Sequence, residues 1–305
     1  MSRKPEQGAI VSTVNFSYVD SALAHMEAGG EPPPFWRHFH WGLFAGPDDD
    51  PARYFAAAEA MTQRVLDAAG LADGARVLDV GCGFGGTLDH IRSRYQGCRL
   101  VGLNIDVRQL RAAVRLLSAA VDGDGGGDDG GTGGSLPFVT ADGCRLPVAA
   151  GSLDHVLAVE CIFHFPSRKA FFQEAARVLR PGGTVALSDF LMAPGALSAV
   201  AGTMMGNMGG DGPKGGPRGG LGEDDWYGHM AKPLTSVGYE RLARRTGFEP
   251  LVDEDVNERT LPTYAALRGL ADASDSSDGV STIDGIESLA AKGDLQYHVL
   301  SFRRT

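Results

Sequence analysis

The sequence predicts a doubly wound α/β fold, a mostly parallel sheet covered by helices on both faces. Three observations point there. Short apolar runs alternate with helical patterns through most of the chain after residue 70. A glycine-rich turn, "VLDVGCGFGG" (77–86), carries a strand into a helix. "RPGG" (180–183) stops a later helix just ahead of another strand.

The elements follow in order. Residues 1–69 read as an N-terminal helical cap, helical at 52–69 and irregular earlier, and residues 70–305 as the α/β domain. "ARVLDVG" is a buried strand, and a helix follows from about Thr87. "CRLVGLNI" is the second strand. Asp106 and Gln109 then form a D-x-x-Q capping box ahead of "LRAAVRLLSAAV". "LPFVTAD" and "LDHVLAVE" are strands three and four. Ser167 caps "RKAFFQEAARVL", whose apolar positions 171, 172, 175, 176, 178 and 179 share one face. "TVALSDF" is strand five. "TSVGYERLARRTG" is a helix with Gly247 at its C-terminal end, and "FEPLVDEDV" and "LQYHVLSFRR" close the chain as strands. Glycine-rich stretches at 122–134 and 206–222 and a polar one at 271–279 read as loops, because glycine loses much entropy on ordering and has nothing to bury. The second lies in an insertion, 192–235, that is either a plain linker or a lid.

Composition excludes several classes. With 28 basic and 38 acidic residues the formal net charge is -10, which repels phosphate backbones, so no nucleic-acid partner is expected. No window approaches the ~18 apolar residues of a membrane span, and the start lacks the apolar core of a secretion signal. The four cysteines fit neither a zinc site nor a disulfide framework, so reduced thiols and a cytoplasmic location are expected. The front segment "FWRHFHWGLF" (35–44) holds His38 and His40 two apart, but no nearby acidic or cysteine ligand completes a metal site, and none is expected.

In the glycine turn, Gly81, Gly83 and Gly86 satisfy G-x-G-x-x-G, which lets the backbone turn sharply beside a ligand. The pattern alone would also fit NAD. Asp79, two residues before it, discriminates: a carboxylate suits a ligand with an ammonium group, not a pyrophosphate.

This turn resembles motif I of the class I S-adenosylmethionine-dependent methyltransferases, in their small-molecule, natural-product subgroup. Further segments resemble the family's landmarks in order: "LVGLNIDVRQL", "VTADGCRLP", "LDHVLAVECIFHF", "ARVLRPGGTVALSDF" and "GYERLARRTGFEPLVDEDV". The resemblance covers roughly 70–192 and 235–305. It implies a seven-stranded, Rossmann-like sheet with the last strand antiparallel, and S-adenosylmethionine as cofactor. It also implies that Asp79, Gly81 and Gly83 hold the methionine end, that Asn104, Ile105 and Gln109 lie at the ribose, and that Asp142 and the Gly143 backbone contact adenine. Many members carry an acid where this chain has Asn104. An amide oxygen still accepts from one hydroxyl, with Gln109 as a second contact. The variant resembles the subgroup with sterol, cyclopropane-fatty-acid and natural-product enzymes.

"ECIFHFP" (160–166) is then the end of strand four. Histidine here is a frequent proton acceptor in similar O-methyltransferases, so His164 is favoured as the catalytic base over a buried imidazole satisfied by a carbonyl. Glu160 either lines the methionine end of the cofactor or is a solvated strand terminus. Phe163 and Phe165 are acceptor-pocket walls or core, with at least one in the core. Asp189 orients His164, touches the acceptor or caps a loop. Trp41, in "HWGLF", and Trp226, in "EDDWYGHM", are candidates for a lid over an apolar acceptor, against an aromatic packing cluster.

The reading is methyl transfer from S-adenosylmethionine to a small, largely apolar acceptor, at a hydroxyl or carboxylate oxygen of a natural product. C- or N-methylation of an isoprenoid, lipid or other secondary metabolite is the rival, with a non-catalytic nucleotide-binding protein behind it. Acceptor identity and oligomeric state are not readable.

Overall fold

Seven apolar runs pair into one sheet. The computed structural model describes residues 17–28, 37–122, 136–196, 231–273 and 277–305. The strands are β1 (Arg76–Val80), β2 (Arg99–Asn104), β3 (Phe138–Thr140), β4 (Leu153–Val159), β5 (Leu179–Met192), β6 (Phe248–Asp255) and β7 (Leu295–Arg304). Their order is β3-β2-β1-β4-β5-β7-β6, and β7 runs antiparallel to both neighbours. This is the seven-stranded sheet with its last strand antiparallel that the sequence resemblance implies. The chain leaves β1 toward β2 and returns at β4, so β1 and β4 are adjacent and their C-terminal ends flank the crevice where open α/β sheets bind ligands.

Alternation along the strands explains why both faces are covered. Val77, Leu157, Ala186 and Val299 belong to one buried cluster, while Leu78, Val156, Val185 and Leu300 belong to the other. Helix α5 (Arg168–Val178) supplies Phe171 and Phe172 to the second face, and α6 (Ser236–Arg245) supplies Tyr239 and Ala243. The N-cap of α5 forms as the sequence predicts, and α6 has one that the sequence reading did not name. Ser167 Oγ accepts from the Ala170 N–H at 3.1 Å, and Thr235 Oγ1 accepts from the Gly238 N–H at 3.0 Å.

Four expectations change. Helix α2 (Tyr54–Ala69) is not part of a separate cap: Met61, Val65 and Leu66 bury into the first face of the sheet, so packing does not break at residue 70. A helix also precedes it, α1 (Ser17–Glu27), in a stretch expected to be irregular. The polar stretch 271–279 overlaps two helices, α7 (Pro262–Ala273) and α8 (Ser277–Ala291), with residues 274–276 outside the described set. The capping box of α4 (Val107–Asp122), which follows β2 and α3 (Gly86–Arg94), is half made. Asp106 Oδ1 accepts from the Arg108 N–H at 2.9 Å, but the Asp106 N–H donates to Asn104 Oδ1 at 3.1 Å, not to Gln109. Residues 197–230, which hold most of the expected lid and Trp226, lie outside the described residues. Among the described residues no helix is long and apolar enough to cross a membrane.

Asp189 is a further correction. It is fully buried, and its partners are structural. Arg168 Nη2 and Nε donate to Asp189 Oδ2 at 3.0 and 3.3 Å, the Tyr239 hydroxyl donates to the same oxygen, and the Phe190 N–H donates to Oδ1 at 2.9 Å. Both of its oxygens are engaged in this network, and it does not line the cavity that His164 lines. Its task is to make burial of Arg168 tolerable where α5 and α6 meet β5. Asp189→Ala should therefore destabilise the protein by on the order of 3–5 kcal/mol, because it strands a buried guanidinium. Urea denaturation measures this, and a loss below about 1 kcal/mol would refute the network's structural weight.

Candidate cofactor and acceptor cleft

The cleft is built on the turn between β1 and α3. Gly81, Gly83 and Gly85 all have positive φ, at 72°, 53° and 85°. Space adds a second reason for glycine. A Cβ on Gly81 would stand 2.6 Å from the Cβ of Cys161, and one on Gly86 would stand 1.5 Å from the carbonyl oxygen of Arg37. Gly86 thus makes room for the front segment, not for a ligand. Gly83 faces the cleft, with the Gln109 side chain 3.8 Å from where its Cβ would be.

One cavity gathers most of the residues expected to bind. Asp79, Gly81, Gly83, Asn104, Ile105, Gln109, Asp142, Gly143, Glu160 and His164 all line it. The amide orientations at the β2 end of the cavity are settled by one backbone group. The Asp106 N–H can only donate, so Asn104 Oδ1 accepts; Asn104 Nδ2 then donates to Gln109 Oε1 at 3.3 Å. On the opposite wall the Cys144 N–H donates to Asp142 Oδ1 at 2.8 Å, which orients that carboxylate. A Cβ at Gly143 would press on Phe165 and Val80 at 3.0 Å.

Two buried acids face this cavity in different states of satisfaction. Asp79 Oδ2 is buried with no hydrogen-bond partner, and burial pushes its carboxyl up to about 8. Glu160 is pushed to a similar value, about 8, again by burial. Its Oε2, however, accepts from the Trp41 N–H at 2.7 Å and from the Tyr297 hydroxyl. Glu160 is the non-glycine residue with positive φ among the described residues, at 47°, a conformation that favours glycine and persists where neighbours enforce it. Beyond it the chain forms a 3₁₀ turn, Ile162–His164, so His164 sits one turn past the end of β4. Its ring packs edge-on against Phe163, with centroids 4.4 Å apart.

Three substrate candidates fare differently. Phe163 is buried in the core beside Phe190, while its neighbour Phe165 lines the cleft. Trp41 is also core, 2 % exposed and set against Phe190, Tyr264 and Tyr297. The residues before it, Arg37, Phe39 and His40, form the cleft wall instead. Trp226 lies outside the described residues. Sequence reasoning saw the aromatic density of 35–44 but not which side chains turn inward. That choice is made by backbone hydrogen bonds to distant elements: Trp41 N–H to Glu160, Gly42 N–H to Thr263 Oγ1, Leu43 N–H to the Ala57 carbonyl and Phe44 N–H to the Arg259 carbonyl.

Asp79 ties this geometry to a measurable pH effect. Its folded value of about 8 lies above the ordinary 3.8, so folding favours the protonated form. The stabilisation is complete below about pH 4 and fades as the pH climbs toward 8. Asp79→Asn is neutral throughout and does not fade. In the ligand-free protein its stability should gain on the wild type by on the order of a few kcal/mol between pH 4 and 8. Parallel urea curves across that range would contradict a carboxyl buried without a counter-charge.

Comparison with known proteins bears on the family and the fold. A family model described as "Methyltransferase domain" matches residues 78–187. Methyltransferase GfsG of Streptomyces halstedii is 30% identical over 236 residues, 76% of this chain and 73% of that protein. The 27-O-demethylrifamycin SV methyltransferase of Amycolatopsis mediterranei (strain S699) is 30% identical over 232 residues, 74% of this chain and 71% of that protein. The solved structure of the cyclopropane synthase MmaA2 from Mycobacterium tuberculosis superposes with a TM-score of 0.67 at 16% identity, covering 95% of this chain and 99% of that one.

Proposed function

The chain belongs to the class I S-adenosylmethionine-dependent methyltransferases, and on that premise we propose that it methylates an oxygen of a small, largely apolar natural product, with His164 as the base. The observation that carries the reading is that His164 lines the same cavity as the unpartnered carboxylate of Asp79.

The residues fit the cofactor. A buried carboxylate oxygen without a partner calls for a cation, and the ammonium of the methionine moiety is one. Arg37 lines the cavity as well, paired with Asp89 at 2.6 Å, and is suited to the carboxylate of the same moiety. The Asn104–Gln109 amide pair would take the ribose hydroxyls, and Asp142 with the Gly143 backbone the adenine. When bound, S-adenosylmethionine supplies a methyl already activated by its sulfonium.

The protein has to align the acceptor, exclude water and remove a proton. In this reading His164 does the last of these, supported by its half-buried position at the cleft on a short turn braced by its own N–H donating to the Cys161 carbonyl at 3.0 Å. Phe165 and Val159 supply apolar wall. The relative named for 27-O-demethylrifamycin SV supports oxygen as the acceptor atom. One observation favours a second reading, methyl transfer to carbon. Glu160 also lines the cavity, and a buried carboxyl suits deprotonation of a carbocation after transfer better than activation of a hydroxyl.

Two experiments test these roles. Calorimetric titration with S-adenosylmethionine should show binding by the wild type and a loss of about tenfold or more in Asp79→Asn, which removes a charge-assisted contact. No binding by the folded wild type would sink the reading. Methyl incorporation across a panel of hydroxylated aromatic and polyketide acceptors should fall about 10²-fold or more in His164→Gln, with cofactor affinity nearly intact. If turnover survives in His164→Gln and collapses in Glu160→Gln, transfer to carbon is the better account.

A further inference from the structure

The front segment carries a second constellation, away from the cleft. His38, from that segment, meets Glu59 of α2 and His90 of α3, with one ligand atom of each within 4.8 Å of the others. We propose that these three side chains bind a borderline divalent transition ion of the Zn²⁺ type, which clamps the front segment onto α2 and α3.

The hydrogen bonds around the two histidines carry the argument, because they settle which ring nitrogens hold protons. His40 Nδ1 lies 3.0 Å from the Trp41 carbonyl oxygen, which can only accept, so Nδ1 carries the proton. In a neutral ring His40 Nε2 is then an acceptor, and it takes the hydroxyl proton of Thr62 at 3.0 Å. Thr62 Oγ1, having donated, accepts from His38 Nδ1 at 3.1 Å. His38 is left with a bare lone pair on Nε2. The same logic runs through His90. Gln63 Nε2 donates to Asp67 and to Tyr95, both at 2.8 Å, so Gln63 Oε1 accepts from His90 Nε2 at 3.0 Å. The lone pair of His90 is therefore on Nδ1. Each histidine donates its far N–H to an ordered partner, as metal-ligating histidines do.

A cation already stands at this point. Arg94 Nη1 donates to His90 Nδ1 at 3.1 Å, and Arg94 Nη2 lies 3.7 Å from Glu59 Oε2. Its side chain is 45% exposed, so it can swing into water at little cost, and Glu59 at 40% exposure leaves an entry path. The exchange is one cation for another at neutral imidazoles and a carboxylate. Two nitrogens and one oxygen suit Zn²⁺, Co²⁺ or Ni²⁺ rather than Mg²⁺ or Ca²⁺. His38 and His40 are not the ligand pair, since both nitrogens of His40 are engaged. The partners come from two helices that sequence distance hides.

The test is calorimetric titration of the untagged, full-length protein with Zn²⁺, repeated with Co²⁺ while recording its absorption. Wild type should bind one ion, with cobalt bands of nitrogen and oxygen ligation and no thiolate charge-transfer band. Glu59→Gln and His90→Ala should each weaken binding by about tenfold or more. Arg94→Ala should tighten it by about tenfold, because a competing positive charge is gone. Glu59 and Arg94 are exposed enough that these variants should fold, which melting curves verify. The proposal is overturned if wild type and Arg94→Ala both fail to bind. It is equally overturned if binding persists undiminished in Glu59→Gln and His90→Ala, or if a thiolate band places the ion on cysteine. S-adenosylmethionine titration of the same samples reports separately on the cleft.

Discussion

The buried carboxyl of Glu160 is the contact on which the arrangement of the cleft depends. It lies where β4 ends, beside β5 and β7, under the front segment. Taking a carboxyl out of water is costly unless its oxygens are hydrogen-bonded. Here one oxygen accepts from Trp41 N–H and from the Tyr297 hydroxyl, and that hydroxyl stands 3.0 Å from Ser188 Oγ. Three strands and the front segment thus converge on one side chain. The left-handed backbone of Glu160 is the strain that brings it there. Once the Trp41 backbone is anchored, its indole falls into the core, while Phe39 and His40 close the cleft.

The front segment is held as a strap rather than as an element. It makes no strand or helix of its own between His40 and Phe44, yet its backbone N–H groups reach a strand end, the helices α2 and α7 and a 3₁₀ turn, Asn257–Thr260. Gly42 is needed because a Cβ would lie 2.7 Å from the Ala57 Cβ. The Tyr54 hydroxyl bridges the carbonyls of His38 and His40 from α2. Behind the strap the relay from Trp41 through His40 and Thr62 to His38 joins the cleft wall to the α2–α3 surface. The two sites are therefore parts of one hydrogen-bonded layer.

The cleft was legible in sequence to the extent that it is local. Asp79, Gly81 and Gly83 sit in one turn, and Asn104 with Gln109 and Asp142 with Gly143 sit at two others. Each follows a strand, and strand ends gather at one sheet edge whatever the rest of the chain does. Asp189 misled for an instructive reason. It too ends near that edge, but its neighbours Arg168 and Tyr239 arrive from α5 and α6, and only their approach shows that its charge is already spoken for. Phe163 on the 3₁₀ turn and Phe165 just after it are two apart, and one faces the core while the other faces the cleft.

By itself, then, the sequence determined the alternation of strands and helices, the helix cap at Ser167, and the glycine turn after β1. All of these rest on periodicity and on short-range backbone demands. The tertiary structure decided what long-range contact alone can decide. It made Trp41 core and His40 wall, made Asp189 a structural anion, placed α2 on the sheet, and brought His38 to Glu59 and His90. In each case the deciding partner lies on another element, and the free energy of burial, not local preference, selects which side chain turns inward.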